Sequence, residues 1–189
     1  MMNKLFTPHN LADIQLKNRV VMAPMTRTRT LNDVADELVA LYYSQRASAG
    51  LIITEGLPVS EEGRGYLYTP GLYNEAQMHG WRKVTDAVHA KGGRIFAQLW
   101  HVGRMSHVSV LPENQAPVSS GTIPATNTTV FAYSDSGEPS AVTPSIPRAL
   151  ETEEVKRVTK DFVKSARLAI EAGFDGVEIM AANGFIFDQ

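Results

Sequence analysis

The feature that most constrains the fold is the alternation of short apolar runs with amphipathic helical segments. The runs at 51–55 (LIITE) and 94–100 (RIFAQLW) are nearly all apolar, which is typical of strands covered on both faces. Two shorter runs, at 19–24 (RVVMAP) and 174–179 (FDGVEI), are the remaining strand candidates. Strands of this kind, separated by helices, predict a parallel sheet with right-handed crossovers.

Three helices are predicted between these strands, at about 35–48, 75–91 and 152–173, from their apolar spacing and their end signals. Asn74 is followed three residues later by a glutamine, which resembles a capping box at the start of the second helix. Thr152 is the predicted N-cap of the third helix, because two glutamates follow it and acids stabilise a first turn.

Two parallel architectures fit this order: a doubly wound open sheet and a (β/α)8 barrel. A dinucleotide-binding doubly wound sheet carries Gly-x-Gly-x-x-Gly after a strand, and no predicted strand here is followed by that motif. Polar and aromatic residues gather instead where several strands end: Thr26, Glu55, Gln98, Trp100, His101 and Asn183. Because catalytic residues gather in this way on the carboxyl face of a barrel, we predict a barrel-type sheet.

The length of the chain matches only part of such a barrel. A barrel has eight strands and about 250 residues, whereas this chain has 189 residues and four predicted strands. We therefore expect residues 1–189 to form one partial α/β domain, the N-terminal half of a TIM barrel, with a long excursion loop at 103–150. Open strand edges and the apolar residues Phe185, Ile186 and Phe187, which are expected to be exposed, predict self-association or pairing with a complementary half-barrel.

Composition excludes several classes of function. The formal net charge is -2 and no run of Lys or Arg is present, so we expect no nucleic-acid partner. The chain has no cysteine, which excludes a disulfide framework and a thiolate site and fits a reducing cytoplasm. The histidines have no recognisable metal-ligand spacing, so no metal is predicted, and His101 is expected to be packed or solvent-facing. No apolar run is long enough to predict a transmembrane helix, so no membrane partner is expected.

Five blocks of sequence lie at or after the ends of the predicted strands: APMTR at 23–27, TEG at 54–56, GY and TPG at 65–71, QLWHVGR at 98–104, and GVEIMAANG at 176–184. In order and spacing these blocks resemble the old yellow enzyme family, which includes N-ethylmaleimide reductase-like proteins. The resemblance implies a (β/α)8 barrel with FMN as cofactor and NAD(P)H as reductant. The implied substrates are small activated alkenes such as enones, maleimides and nitroalkenes.

The resemblance also implies roles for individual residues. The residues that would contact the flavin ring are Ala23, Pro24, Met25, Thr26, Gly56 and Gln98. Thr26 would lie near a ring carbonyl, Gly56 would allow a close approach of backbone to the ring, and Gln98 would bind the pyrimidine edge. Tyr66 and Trp100 would shape the substrate pocket together with Thr26. From the residues alone, a capping threonine, a structural amide and ordinary core aromatics remain open alternatives.

Three positions near the end of the chain carry the catalytic pattern of the family, and two of them depart from it. The fourth strand of the family ends in His-x-x-Asn or His-x-x-His followed by Gly-Tyr; here the positions are Met180, Asn183 and Phe185. Asn183 keeps a donor, whereas a thioether cannot donate and a phenyl ring has no proton to give. The FMN phosphate site lies in the second half of the barrel, so weak or absent FMN binding is expected. The alternatives are a catalytically impaired half-barrel that serves as a binding or assembly subunit, and a coincidental match in an unrelated α/β protein.

Overall fold

The computed structural model of the protein describes residues 4–189, so the first three residues of the predicted domain lie outside the described range. An antiparallel hairpin comes first, followed by four parallel strands that alternate with three helices. In chain order the elements are β1 (His9–Leu11), β2 (Ile14–Leu16), β3 (Val21–Met22), α1 (Glu37–Ser44), β4 (Leu51–Pro58), α2 (Glu75–His89), β5 (Ile95–Trp100), β6 (Val118–Ser119), β7 (Val130–Tyr133), β8 (Pro139–Val142), β9 (Arg148–Ala149), α3 (Thr152–Glu171) and β10 (Gly176–Ile179).

The main sheet has the strand order β10-β5-β4-β3, and every pair in it is parallel. Each strand therefore lies beside the strand that precedes or follows it in the βα series, and the order never reverses. A doubly wound sheet reverses its strand order at the point where it binds ligands. The unreversed order favours the barrel-type sheet predicted from the sequence.

Helix α2 forms largely as its sequence predicts. Oδ1 of the N-cap residue Asn74 accepts the backbone N–H of Gln77 at 2.9 Å. Gln77 does not complete a capping box, because its Oε1 accepts the backbone N–H of Tyr73 at 2.8 Å instead. The apolar face of α2 is buried in the main core: Trp81, Val84 and Val88.

Helix α1 is shorter than predicted, and its two leucines lie on the solvent side. It begins after the N-cap residue Asp36, whose side chain accepts two backbone N–H groups of the first turn. The side chains that face the core are small or aromatic, among them Ala40 and Tyr43. Leu38 and Leu41 are 70% and 52% exposed, so the outer flank of α1 is apolar and uncovered.

Helix α3 begins one residue earlier than its predicted cap allows. The N-cap is Glu151, and Thr152 is the first helical residue, so the prediction of Thr152 as the cap is wrong. The backbone N–H of Glu151 donates to Oε2 of Glu154 at 2.9 Å, which makes use of a glutamate of the first turn. Within residues 4–189 neither α3 nor any other helix is long and apolar enough to cross a membrane.

The excursion at 103–150 contains regular structure that the sequence did not reveal. Strands β7 and β8 form an antiparallel hairpin, and β6 pairs with β9 in parallel. The hairpin packs on a small second core whose buried members are Leu67, Val110, Leu111, Val130 and Ala132. These strands have two to four residues each, which is too short to produce a detectable alternation.

Candidate active site

A bulge in β4 shapes the region where the central strands end. Ile53 pairs with Phe96 and Gly56 pairs with Gln98, so β4 carries one residue more than β5 between these two pairs. The backbone N–H of Gln98 donates to the side-chain Oγ1 of Thr54 at 3.0 Å in this interval. Bulges of this kind re-aim side chains and are common beside active sites.

The bulge directs Glu55 beneath α1. Its side chain is 2% exposed and accepts the backbone N–H of Arg27 at 3.1 Å. The Tyr43 hydroxyl lies 3.4 Å from Oε1 and accepts the backbone N–H of Glu55 at 2.9 Å. Burial raises the pKa of Glu55 to about 7, against the lowering effect of the Arg27 N–H, the Tyr43 hydroxyl and the Arg27 charge. Glu55 therefore fastens the segment after β3 to the core.

An open cavity of about 570 Å³ lies at the carboxyl ends of β3, β5 and β10. Its lining comes from distant parts of the chain: Pro24, Thr26, Thr28, Tyr66, Gln98, Trp100, Met180, Asn183 and Phe185. All of these except Thr28 are site residues predicted from the sequence. Parallel strands place their carboxyl ends together, which explains why residues separated by more than a hundred positions meet there.

Three predicted site residues do not line this cavity. Ala23 and Met25 are exposed to solvent beside it. Gly56 lies behind the indole ring of Trp100, and a Cβ on Gly56 would come within 2.1 Å of that ring. The sequence suggests that glycine is needed here so that the backbone can approach a flavin. In the structure glycine is needed because the Trp100 ring occupies the space that a side chain would fill.

One wall of the cavity is aromatic. The rings of Trp100 and Phe185 meet edge to face with centroids 5.3 Å apart, and the ring centroid of Tyr66 lies 5.8 Å from that of Trp100. Phe185 is 4% exposed, so the expectation of an exposed apolar surface at 185–187 is wrong for this residue. Phe187 is exposed, and its ring lies 5.0 Å from that of Phe162. Phe185 is buried because the segment after β10 turns back over β5.

The segment after β10 is pinned to the segment after β5 by hydrogen bonds. The backbone N–H of Ile186 donates to the carbonyl of His101 at 3.0 Å, and Nε2 of Gln189 donates to the carbonyl of Val102 at 3.0 Å. Asn183 lies in the turn between β10 and Ile186. Its φ of 61° is in the left-handed region, which asparagine tolerates better than most residues. The segments that follow β5 and β10 therefore form one surface beside the cavity.

His101 does not contribute to the cavity. It is fully buried, and its Nδ1 accepts the backbone N–H of Gly103 at 3.1 Å, which leaves the proton on Nε2. Nε2 lies 3.7 Å from a carboxylate oxygen of Glu62, beyond hydrogen-bond distance. Of the two expectations for His101, packed or solvent-facing, the packed one is confirmed.

Glu178 is a residue of this region that sequence reasoning did not select. It lies opposite Gln98 in the parallel ladder, and its Oε1 accepts the side-chain Nε2 of Gln98 at 2.6 Å. Strand alternation could have indicated the contact, because both side chains belong to the same face of neighbouring strands. The pairing itself depends on the register between β5 and β10.

An unreversed series of parallel βα units with a cavity at the strand carboxyl ends defines a barrel-type α/β enzyme fold. The chain belongs to the NADH:flavin oxidoreductase / NADH oxidase family, whose model matches residues 4–189. This confirms the resemblance to the old yellow enzymes.

Curated relatives and solved structures agree with this assignment. The chain is 44% identical over 186 residues to 12-oxophytodienoate reductase 1 of Oryza sativa subsp. japonica, covering 98% of this chain and 46% of that protein. A structure of morphinone reductase in complex with tetrahydroNAD is 48% identical with a TM-score of 0.94, over 97% of this chain and 51% of that one. The old yellow enzyme homologue from Zymomonas mobilis is 43% identical with a TM-score of 0.90, over 98% and 50% of the two chains. The chain thus spans about half the length of these relatives.

Proposed function

We propose that the protein is an NAD(P)H-dependent FMN oxidoreductase that reduces activated alkenes in small molecules. The observation that carries this proposal is the cavity, in which eight predicted site residues from four separate segments of the sequence meet. Family membership supports the flavin and the nicotinamide reductant. The substrates named for relatives concern those proteins, and the activity of this chain is the proposal.

The chemistry of the cavity fits the ring of FMN better than its phosphate. Two threonine hydroxyls, the Gln98 amide and the flat edge of Pro24 suit an uncharged heteroaromatic ring with N–H and C=O groups. Among the described residues that line the cavity there is no lysine or arginine to bind a phosphate. When bound, FMN would supply hydride chemistry at this position. The chain by itself should therefore hold FMN weakly.

The substrate side of the cavity offers one strong donor. The Asn183 side chain can donate to a carbonyl or nitro oxygen and so polarise the alkene attached to it. Met180 lacks a donor and Phe185 lacks a proton, so protonation of the product falls to water that enters the open cavity. The aromatic wall of Tyr66, Trp100 and Phe185 orients a flat substrate and restricts its approach.

Flavin content after purification tests this proposal directly. The 189-residue chain should show flavin absorbance when saturated with FMN, lose that absorbance on addition of NADPH, and recover it on addition of an enone. In a matched sample of Asn183→Ala the absorbance should recover more slowly than in wild type, by about a hundredfold, because the alkene step loses its hydrogen-bond donor. Absence of bleaching in a flavin-loaded wild-type sample would contradict the proposal and favour a binding or assembly role for the chain.

The double variant Met180→His with Phe185→Tyr tests the account of the altered motif. Restoring a donor and a proton source should raise the rate of enone reduction by about a hundredfold or more. Each single variant serves as a control, because the two groups act on different atoms of the substrate. An unchanged rate in flavin-loaded protein would show that these positions do not limit the reaction.

We also propose that a second half-barrel, from another copy or from a complementary chain, covers the open sides of the sheet. The support is the exposure of apolar side chains on both flanks: Val21, Leu38, Leu41, Val163, Ile170 and Ile179. Light scattering should show a mass above that of one chain, and a monodisperse monomer would contradict the proposal. The expected cytoplasmic location stays a prediction.

A further inference from the structure

Gln98, which lines the cavity, forms a polar pair with Glu178 on the neighbouring strand. Gln98 is 4% exposed and is one of the residues that line the open cavity. Its Nε2 donates to Glu178 Oε1 at 2.6 Å, a distance typical of a strong charge-assisted hydrogen bond. The pair is held by the backbone register, which places Gln98 and Glu178 side by side on β5 and β10.

The carboxylate fixes which end of the amide faces the ligand. An ionised carboxylate only accepts hydrogen bonds, so the NH₂ end of Gln98 must face Glu178. The carbonyl Oε1 of Gln98 accepts no hydrogen bond from any side chain or backbone group of residues 4–189. The Oε1 of Gln98 is therefore left to accept a hydrogen bond from a ligand in the cavity, while one of the two hydrogens of its NH₂ group is donated to Glu178.

We propose that Glu178 is a positioning residue that makes the cavity select a ligand with a ring N–H at this point. The inference rests on the proposed function: the flavin pyrimidine carries an imide N–H between two carbonyls, and Oε1 of Gln98 would accept a hydrogen bond from that N–H. An amide without Glu178 can turn either way, and then a ring carbonyl or a ring N–H is accepted equally. Glu178 thus sets the polarity of the contact without touching the ligand itself.

The test compares FMN with 3-methyl-FMN, whose ring nitrogen carries a methyl group in place of the hydrogen. Affinity is measured by flavin fluorescence for the 189-residue chain and for Glu178→Gln, Glu178→Asp and the exposed control Glu171→Gln. Wild type and Glu171→Gln should prefer FMN by about tenfold or more, because an unmatched buried acceptor is costly. Glu178→Asp should keep a preference for FMN, since a carboxylate remains.

Glu178→Gln should lose most of this preference, because Gln98 can then turn its NH₂ group toward the cavity. A preference for FMN in Glu178→Gln equal to that of wild type would overturn the inference. A mere structural role of Glu178 would weaken both flavins in parallel and leave their ratio unchanged, which also overturns it.

A flavin-free measurement separates this inference from the proposed function. One of the two side-chain NH₂ protons of Gln98 should be shifted downfield and protected from exchange by its hydrogen bond to Glu178, and Glu178→Gln should remove this difference while Glu171→Gln preserves it. Equivalent, unprotected Gln98 NH₂ protons in wild type would overturn the positioning role whatever the flavin result. If the protected proton is present but wild type binds neither flavin, the positioning role stands, and the proposed function and the ligand assignment both fail.

Discussion

The two central strands of the sheet and its two outer strands differ in how completely they are covered. Nearly every residue of β4 and β5 is buried, because each strand has a neighbour on both edges and helices on its outer face. In β3 and β10 no residue is fully buried, and each pairs with a single neighbour within the sheet. The centre of this sheet is therefore a fully packed core, whereas the apolar residues of its two outer strands remain partly or fully exposed to solvent.

The largest expected effect lies in the finished centre, at Trp81. Its side chain on α2 is fully buried, with ring contacts to Tyr43 of α1 and to Phe174, and its Nε1 donates to the carbonyl of Gly71 at 3.1 Å. Trp81→Ala should lower the free energy of unfolding by about 3–5 kcal/mol, because it leaves a large cavity. Chemical denaturation measures the loss, and Trp81→Phe should lose clearly less. A loss below about 1 kcal/mol would contradict the conclusion that the centre of the sheet is more tightly packed than its flanks.

The second prediction concerns the pH dependence that Glu55 creates in the same centre. Its folded-state pKa of about 7 lies above its ordinary value of 4.5. The folded chain therefore keeps a proton that the unfolded chain releases as the pH rises between these values. The free energy of unfolding should fall by about 3 kcal/mol from pH 4.5 to above pH 7 on account of this group.

Glu55→Gln should lack this fall, whereas the exposed control Glu171→Gln should retain it. Denaturant titrations at a series of pH values measure the difference between each variant and wild type. A parallel pH dependence in wild type and Glu55→Gln would show that the buried carboxyl is not the source.

A smaller effect is expected at Gly56, where the centre meets the cavity. The Cβ introduced by Gly56→Ala would strike the Trp100 ring and force it toward the cavity. Overpacking of this kind should cost about 1–3 kcal/mol of the free energy of unfolding and shift the tryptophan fluorescence. Gly121→Ala is the matched control, because a Cβ there meets open space. Equal stability of the two variants would mean that the ring moves freely.

The smallest effect is expected on the open flank, at Leu41. Leu41→Ala removes an apolar side chain that is already half exposed, so stability should change by no more than about 0.5 kcal/mol in a dilute sample. Leu41→Lys sharpens the comparison, since it should also lower the apparent mass at high concentration if a second half-barrel covers α1. A loss of more than about 1 kcal/mol in the dilute Leu41→Ala sample would show that the flank is part of the core.

Local patterns in the sequence were sufficient for the element order and for most of the candidate site. Buried strands and their helices are encoded by contiguous apolar spacing, and the cavity residues lie in short blocks at strand ends, so both could be predicted. The hairpin of β7 and β8 could not be predicted, because its strands are too short to show an alternation of apolar and polar residues. The faces of α1 were also hidden, since Leu38 and Leu41 have the spacing of a core stripe but Tyr43 and Ala40 fill the space beneath the helix.

The sequence by itself determined the alternation of strands and helices and was sufficient to predict the family, because both depend on residue type and local spacing. Only the tertiary structure decided three further points: the bulge that sends Glu55 under α1, the packing of Phe185 on Trp100, and the contact between Gln98 and Glu178. All three join residues far apart in the chain. Their geometry is set by the register of neighbouring strands, which no single segment of the sequence contains.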